Sequence, residues 1–551
     1  MVTDHLADLV KQAVTAAIHG GRLPAGDEPE VHFERPKRKE HGDWSTNLPL
    51  TLPKEGPPRE AALAIVELLP PSDLVERVEV AGPGFINFYL APAWLHDVVK
   101  RATRADSGFG RPDAADGQRI NVEFVSANPT GPINVVSGRH AAFGDSLANI
   151  LAAAGNEVIR EFYVNDMGRQ IKLFGASIAG RYLQELGQTA AMPEDGYLGD
   201  YVTDLARSAA EEHGPRFLEL EEEERTAQLA ELGLEKMLEQ MRASLEAFGT
   251  KHDLWIRESS LHESGGVQTA ISELKRRGFI EEKDGALWFL SSRLGDDKDR
   301  VVVRQSGDTT YLAPDLAYLN DKFGRGFDHL IYVLGSDHHG TVPRMKAAAE
   351  ALGHEREAVE ILLVQVVTLS RGSDRIKASK RKGVFVPLQE LVDEVGKDAA
   401  RYMFLTRSID APLDFDIELA KEQAPENPVY YVQYAHARIC SILRRAAEGG
   451  IEPNLDASDL SVMTHPSEED VMRKLAGYEE LIPTAAELRA PQRVTRYVEE
   501  LASLFSAFYR DCKVVTDDAV LTQARLNLCV ATKNVIADAL GLVGVSAPER
   551  M

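Results

Sequence analysis

Cysteine is scarce in this chain: Cys440, Cys512 and Cys529 are the three present in 551 residues, widely spaced and without a Cys-x-x-Cys pair. That scarcity excludes a disulfide framework and a thiolate zinc site, and leaves the thiols as small buried apolar residues. Long hydrophobic runs are missing as well. No stretch approaches the ~18 consecutive apolar residues of a membrane span. The segment Met1 to Ile18 carries Asp4, Asp8 and Lys11 among apolar residues at helical period, so it does not read as a signal peptide. A cytoplasmic protein without membrane contact is expected. Basic charge is also in deficit, with a formal net charge of −24. Phosphate binding normally leaves a basic footprint, so the chain as a whole argues weakly against a nucleic-acid partner, although a local basic patch escapes that argument. Much of the acid sits in segments such as Glu211 to Glu224, which read as a solvated helical face. No internal repeat is visible.

What is present is ordinary for a globular protein, with 44% hydrophobic and 27% charged residues. At ~150 residues per domain, about three or four domains with a large core are predicted. The first 110 or so residues alternate helical and extended signals: a helix near Thr3 to Ile18, a polar strand and loop at Val31 to Thr46, and a helix from Pro58 to Leu69. They close on Val78 to Leu90, where Gly82-Pro83-Gly84 leads into the aromatic strand Phe85 to Tyr89. From Gln118 the pattern becomes an apolar strand (Ile120 to Val125), a Pro/Gly loop, a helix (Gly138 to Ala153) and a second strand (Glu157 to Val164). Strand, glycine-rich loop, helix, strand opens a doubly wound nucleotide-binding sheet. Asp166 to Gly278 is charged and mostly helical, and reads as an insertion between the halves of that sheet. Strand signals return at Leu287 to Leu290, Val301 to Arg304, His329 to Leu334 and Ile361 to Val367; beyond Asn427 the apolar residues recur at helical spacing. The expected fold is therefore multidomain α/β. It comprises an N-terminal α+β domain over 1–112, a Rossmann-type doubly wound domain over 113–425 with a helical insertion at about 167–278, and a C-terminal all-α bundle over 426–551.

Several segments carry chemistry. Lys377-Ala378-Ser379-Lys380-Arg381-Lys382-Gly383 is a basic loop of small residues, preceded by Arg375. Ammonium groups there could follow polyphosphate charge as it develops in a transition state, or the run could be a solvated basic turn. Glu123 lies within an apolar strand, so it needs either a cationic partner or an inward-facing cavity; a structural salt bridge is the plainer alternative. The loop that follows, Ser126-Ala127-Asn128-Pro129-Thr130-Gly131-Pro132, suits close approach of backbone amides to a ligand. Thr310 to Asp315 supplies a phenol, Tyr311, and a carboxylate, Asp315. Gly335-Ser336-Asp337-His338-His339-Gly340 follows a strand. His338 and His339 could ligate a metal, but no third ligand stands at suggestive spacing, so hydrogen bonding to a phosphate or ribose is favoured and no protein metal site is expected.

These residues, taken in order, carry a resemblance. The chain is similar over essentially its full length to class I aminoacyl-tRNA synthetases, and within them it resembles the arginyl-tRNA synthetases. The Ser126 to Pro132 loop, Tyr311 with Asp315, the Lys377 to Lys380 loop, Asp398-Ala399-Ala400-Arg401-Tyr402, Asn427 to Arg438 and the terminal Gly544 to Met551 stand in that family's order. Glu40-His41-Gly42-Asp43 and Ala81 to Phe88 match its first domain. The resemblance implies activation of L-arginine by ATP to arginyl-adenylate, then transfer to the 3′-terminal adenosine of tRNA(Arg), with Mg²⁺ accompanying the ATP and the tRNA generally needed for adenylation. It makes 113–425 the catalytic domain and 426–551 the anticodon-binding domain.

In that light Glu123, Asp315 and Tyr311 are expected to hold the guanidinium, since carboxylates match its forked donors. Ser126, Asn128 and Asp337 complete the arginine site. Pro129, Thr130, Gly131, Asn134, Ser137, His338, His339, Lys377 and Lys380 are assigned to ATP, with Ser379 shaping the basic loop. Two departures stand out. The family's His-x-Gly-His aligns with Asn134-Val135-Val136-Ser137, so neither histidine is present and Val136 replaces the bare glycine. A working variant, helped by nearby Arg139 or His140, is the favoured reading; a catalytically silent tRNA-binding paralogue with a regulatory role is the alternative. Asp538-Ala539-Leu540-Gly541 lacks the family's arginine at its last position. For tRNA, Tyr430, Tyr434 and Arg438 fall on one helix face and could stack anticodon bases, although Tyr434 could equally pack in the bundle core. Phe85 and Asn87, alternate residues of one strand, are expected to receive a base. A monomer is expected.

Overall fold

The computed structural model describes residues 2–26, 29–36, 38–53, 56–104, 108–112, 117–372, 374–376, 386–456 and 458–551. The residues Lys377, Ser379 and Lys380 lie outside them. The chain divides into two compact units: 1–109 with 439–479 and 503–535, and 110–438 with 480–502 and 536–551.

The first unit contains a three-stranded antiparallel sheet in the order Trp44–Thr46, Phe85–Leu90, Val75–Ala81. The aromatic strand is central, and its alternate residues Ile86, Phe88 and Leu90 are buried on one face. The turn at 82–84 joins it to its neighbour. Helices Val2–His19 and Pro58–Glu67 bury Leu6, Val10, Val14 and Ile65. In the same unit helix Pro466–Ala476 packs on Pro92–Thr103, and Arg473 bridges Asp43 and Glu469.

The second unit is built on a five-stranded parallel sheet with the order Val359–Val364, His329–Gly335, Arg119–Phe124, Glu157–Val164, Leu254–Arg257. From Ile120 to Phe124 every side chain is buried, as a central parallel strand requires. The helix that follows, Val135–Ala153, lies against this strand so closely that a Cβ on Gly144 would stand 2.2 Å from the Phe124 ring. Two expectations change here. Leu254–Arg257 falls within the stretch read as a helical insertion, yet it forms the edge strand of the main sheet. Ala286–Phe289 and Arg300–Val303 lie outside that sheet: Ala286–Phe289 is the centre of a small antiparallel sheet, pairing with Ile280–Lys283 on one side and Arg300–Val303 on the other. Hairpin closure at 284–285 brings Ile280–Lys283 to its nearest neighbour in sequence, which is the cheaper pairing. The remaining insertion is helical, with Arg169–Glu185, Asp200–His213 and Glu222–Ala247 packed together.

Beyond residue 427 the described elements are helices: Pro428–Glu448, Pro466–Ala476, Tyr478–Glu487, Gln492–Asp511 and Ala519–Leu542, with a short 3₁₀ turn. The three cysteines are buried thiols outside any disulfide. Arg401, fully buried, ties elements of the second unit together: it pairs with Asp145 at 2.6 Å and donates to Thr250 Oγ1 and to the carbonyls of Phe248, Gly249 and Val543. Removing one partner of a buried ion pair strands the other charge, so Arg401→Met is expected to destabilise the protein by about 3–5 kcal/mol. Urea unfolding followed by circular dichroism checks this; an unchanged midpoint would refute it.

Candidate active site

In an open parallel sheet the binding crevice lies beyond the strand carboxyl ends where the strand order reverses. Here that place is between Arg119–Phe124 and His329–Gly335, whose sequence neighbours lead off to opposite edges. In-register pairing sets Glu123 beside Glu161 on one side and beside Tyr332 on the other. Two buried carboxylates on one face of adjacent strands repel each other and demand a cation. Lys322 supplies it from helix Leu312–Gly324: its ammonium lies 2.6 Å from Glu123 and 3.7 Å from Glu161, over the rings of Tyr318 and Tyr332. Arg325 from the same chain segment closes on Glu161 at 2.6 Å, and Tyr318 and Asn121 donate to the same carboxylate. Of the two ways to bury Glu123 that its strand position allows, the structure uses the ion pair.

Asp315 and Lys322, seven residues apart, share a helix face two turns from each other. Lys322 meets the sheet, and Asp315 reaches the crevice at the strand ends. Around it gather carboxylates from other elements: Glu123, and Glu258, which follows strand Leu254–Arg257 directly. The Asp315 carboxyl is pushed up to about 7, mainly by burial, with Arg344 opposing and Glu258 and Glu123 reinforcing the rise. Glu258 is also raised, by burial first and by Asp166, against a hydrogen bond from Tyr163. Burial and neighbouring carboxylates thus act together to raise both acids in this crevice. Tyr311, at the start of Asp315's helix, is 79% exposed and stands at the open side.

The loop after Glu123 is strained. Val125 and Ser126 both have positive φ, 70° and 38°, conformations that a branched side chain rarely accepts. Ser126 holds the bend: its hydroxyl donates to Glu123 at 3.0 Å and accepts from the Tyr163 amide at 3.1 Å. Asn128 donates to Gln170, and the Thr130 carbonyl accepts from Tyr201. Asn134 then caps helix Val135–Ala153, its side-chain oxygen accepting from the Ser137 amide at 3.0 Å. The backbone of Ile133 and Val135 pairs with Leu388 and Val386, so the chain leaving the basic loop passes beside the start of this helix. Asp337 and His338 are exposed in a short 3₁₀ turn after strand His329–Gly335, 4.0 Å apart, and His339 is exposed beside them.

The residues expected to meet tRNA differ among themselves. Tyr430 and Tyr434 stack with ring centroids 6.0 Å apart, and the Arg438 guanidinium lies over Tyr434 and donates to its hydroxyl. Tyr434 is 41% exposed, so it is not a core residue of the bundle. In the first unit Phe85 is exposed, but Asn87 is only 4% exposed and its amide oxygen takes the Ser45 hydroxyl at 2.7 Å. The two alternate on one strand face, yet the covering strand Trp44–Thr46 reaches only as far as residues 86 to 88 and leaves Phe85 open.

Comparison with known proteins decides the family. Models of an arginyl tRNA synthetase N-terminal domain, a class I (R) tRNA synthetase catalytic domain and a DALR anticodon binding domain match residues 4–90, 101–408 and 432–551. A relative from Desulforamulus reducens named arginine–tRNA ligase is 47% identical, covering 100% of this chain and 99% of its own. One of the same name from Bacillus subtilis is 44% identical, with 100% of both chains covered. The chain belongs to the arginyl-tRNA synthetase family. The arginyl-tRNA synthetase of Thermus thermophilus, 24% identical, shares the fold with a TM-score of 0.76 over 99% of this chain and 100% of that one.

For an arginyl-tRNA synthetase, the Asn134 to Ser137 departure is then a question of what takes the place of the histidines. Neither Arg139 nor His140 does so as cations at the surface of the site. The Arg139 guanidinium is buried and spent on the carbonyls of Gln365, Ser408 and Ala411. His140 is buried too, and burial holds its imidazole down at about 4, with Arg139 adding to the effect. What the helix start offers is the capped Asn134, the hydroxyl of Ser137 and its own amides. The sequence reading missed Glu258, Tyr163 and Lys322. The first two sit at the end of, or pair with, a four-residue strand too short to show alternation, and Lys322 looks like any lysine on a helix.

The raised Asp315 carboxyl is directly measurable. An infrared difference between the protein and its Asp315→Asn variant should show a carboxyl titrating near 7, and Glu258→Gln should lower that midpoint by removing a like charge. A midpoint near 4 would refute the charge-rich crevice.

Proposed function

We infer that the chain is an arginine–tRNA ligase of the class I type, AMP-forming, that takes L-arginine, ATP and tRNA(Arg). The observation that carries the substrate choice is the crevice at the sheet reversal, where the raised carboxyls of Asp315 and Glu258 stand beside the Lys322-paired Glu123. A guanidinium is planar, always charged and forked, and it would pair with those carboxylates while Tyr311 offers a flat neighbour. A shorter or uncharged side chain would leave carboxylates unpaired, the stronger form of discrimination.

In the reaction an oxygen of the arginine carboxylate attacks the α-phosphorus of ATP, pyrophosphate leaves, and a hydroxyl of the 3′-terminal adenosine of the tRNA then attacks the arginyl carbonyl, releasing AMP. Asn128 orients the α-amino and carboxylate end of arginine, with Ser126 and Asp337 near it. The Pro129 to Gly131 loop, Asn134, Ser137, His338 and His339 face the nucleotide. The helix start concentrates partial positive charge there. Lys377 and Lys380, which lie outside the described residues, are assigned to the departing pyrophosphate, with Ser379 shaping their loop; the Val386–Val135 pairing supports this by setting the loop's exit at the helix start. The Mg²⁺ is taken to arrive on the phosphates of ATP, where it neutralises their charge. Phe85, Tyr430, Tyr434 and Arg438 are the proposed tRNA contacts; Asn87 supports its strand.

A monomer working in the cytoplasm, divided into domains at about 112 and 425, completes the reading. The family matches over 4–90, 101–408 and 432–551 support the division. No described helix is long and apolar enough to cross a membrane. The catalytically silent alternative raised by Asn134 to Ser137 draws no support from the relatives, which bear the ligase name along their whole length.

Charging of tRNA with labelled arginine, ATP and Mg²⁺ tests the reading. Arginine should be transferred, and Lys380→Ala should reduce the rate by about 100-fold or more, as expected when a group acts mainly in the transition state; tRNA binding without charging would favour the silent paralogue. The pH profile tests the pocket. A carboxyl raised to about 7 is protonated below that pH and must ionise to hold a cation. The KM for arginine should therefore climb as pH falls below about 7, approaching tenfold per unit, and Asp315→Asn should abolish the effect along with most activity.

A further inference from the structure

The helical insertion reaches the strained loop at two points. Gln170, at the start of helix Arg169–Glu185, accepts a hydrogen bond from the Asn128 side-chain amide at 2.7 Å. Tyr201, at the start of helix Asp200–His213, donates from its hydroxyl to the Thr130 carbonyl at 2.8 Å. Its ring also lies under Gly131, where an added Cβ would stand 3.3 Å from the Tyr201 hydroxyl and 3.4 Å from Cζ. Tyr201 is itself held. The turn before it docks on the insertion's own core: the Tyr197 amide donates to Ser177 Oγ at 2.9 Å, and the Tyr197 ring meets Phe174 edge-on at 5.7 Å. Gly196 sits so close that a Cβ would be 3.0 Å from that same Ser177 hydroxyl.

The loop needs such support. Two consecutive non-glycine residues at positive φ cost about 1–3 kcal/mol each, and such backbone persists only where the surroundings over-determine it. Ser126 secures the loop's first half from within the sheet. Its second half, Asn128 to Gly131, has its side-chain and carbonyl hydrogen bonds from the insertion.

We propose that Gln170 and Tyr201 make the insertion an integral part of the active site: they are positioning residues, Tyr201 for the nucleotide side through the Thr130 carbonyl, and Gln170 for the amino-acid side through the Asn128 amide. The proposal rests on the assignment of this loop to ATP and arginine given above. It predicts a split that a structural role alone would not produce. Tyr201→Phe, which deletes only a hydroxyl, should raise the KM for ATP about fivefold, the effect of one neutral hydrogen bond, and leave the KM for arginine and the melting temperature unchanged. Gln170→Ala should do the reverse, raising the KM for arginine by a similar factor. Gly131→Ala should impair ATP binding, and the loss should be smaller in the Tyr201→Phe background because the crowding hydroxyl is gone.

The measurements are initial rates of arginine charging by the full chain with tRNA present, beside amide hydrogen exchange of the peptide spanning Ser126 to Val135. Faster exchange there in Tyr201→Phe, with the KM split, is the expected result. Unchanged exchange and unchanged KM values would overturn the proposal, as would a lowered melting temperature with both KM values moving together. Failure of the unaltered protein to charge arginine would instead overturn the functional reading, and the exchange measurement would still decide whether the insertion holds the loop.

Discussion

The buried Lys322 ammonium is the interaction on which the catalytic sheet depends. In-register parallel strands place Glu123 and Glu161 side by side on one face, where neither reaches bulk water. Without a cation between them the sheet could keep its register only by protonating one acid or twisting it out. Lys322 serves both acids and lies over two tyrosine rings, and Arg325 completes the second acid's coordination. Its helix also carries Asp315, so the contact that pins the helix to the sheet sets the height at which Asp315 stands in the crevice. Geometry therefore separates Glu123 and Glu161, which are ion-paired with Lys322, from Asp315 and Glu258, which burial raises.

Burial also decides how the unusual helix start has to work. Arg139 and His140 are near enough in sequence to substitute for absent histidines, yet both are used inward. One organises three backbone carbonyls and the other is kept neutral by desolvation. The remaining polar groups at the start of Val135–Ala153 are neutral, and the positive character available comes from the helix amides. The segment Val386 to Leu388, which follows the basic run in sequence, pairs with this helix start, and the charge for polyphosphate is proposed to come from that run. A net charge of −24 and a tRNA partner are compatible for the same reason: what matters to a phosphate is the charge within about a Debye length, ~8 Å at physiological salt, and not the sum over the chain.

Much of this protein was legible in its residues. Strand Glu157–Val164 and the helix from Gly138 onward stand close to where the period of their apolar residues sets them, because long, strongly patterned elements have one way to bury their apolar face. The ordered run of motifs sufficed for the family, and with it the general chemistry. Leu254–Arg257 was not legible, because four residues show no alternation and its flanks are helical; it is a strand only because a sheet edge was open for it. Glu258 and Tyr163 were hidden with it.

Residue type and order by themselves determined the fold class, the family and the set of polar groups available for catalysis, since these follow from periodicity and motif spacing along the chain. Only the tertiary structure decided what each polar group does. Glu123 became half of an ion pair, Asn87 a covered strand residue, Tyr434 an exposed platform, and Arg139 a backbone clamp. The reason is physical: the free energy of a charge or a hydrogen-bonding group is set by its solvent exposure and its partners, and both come from residues far away in sequence.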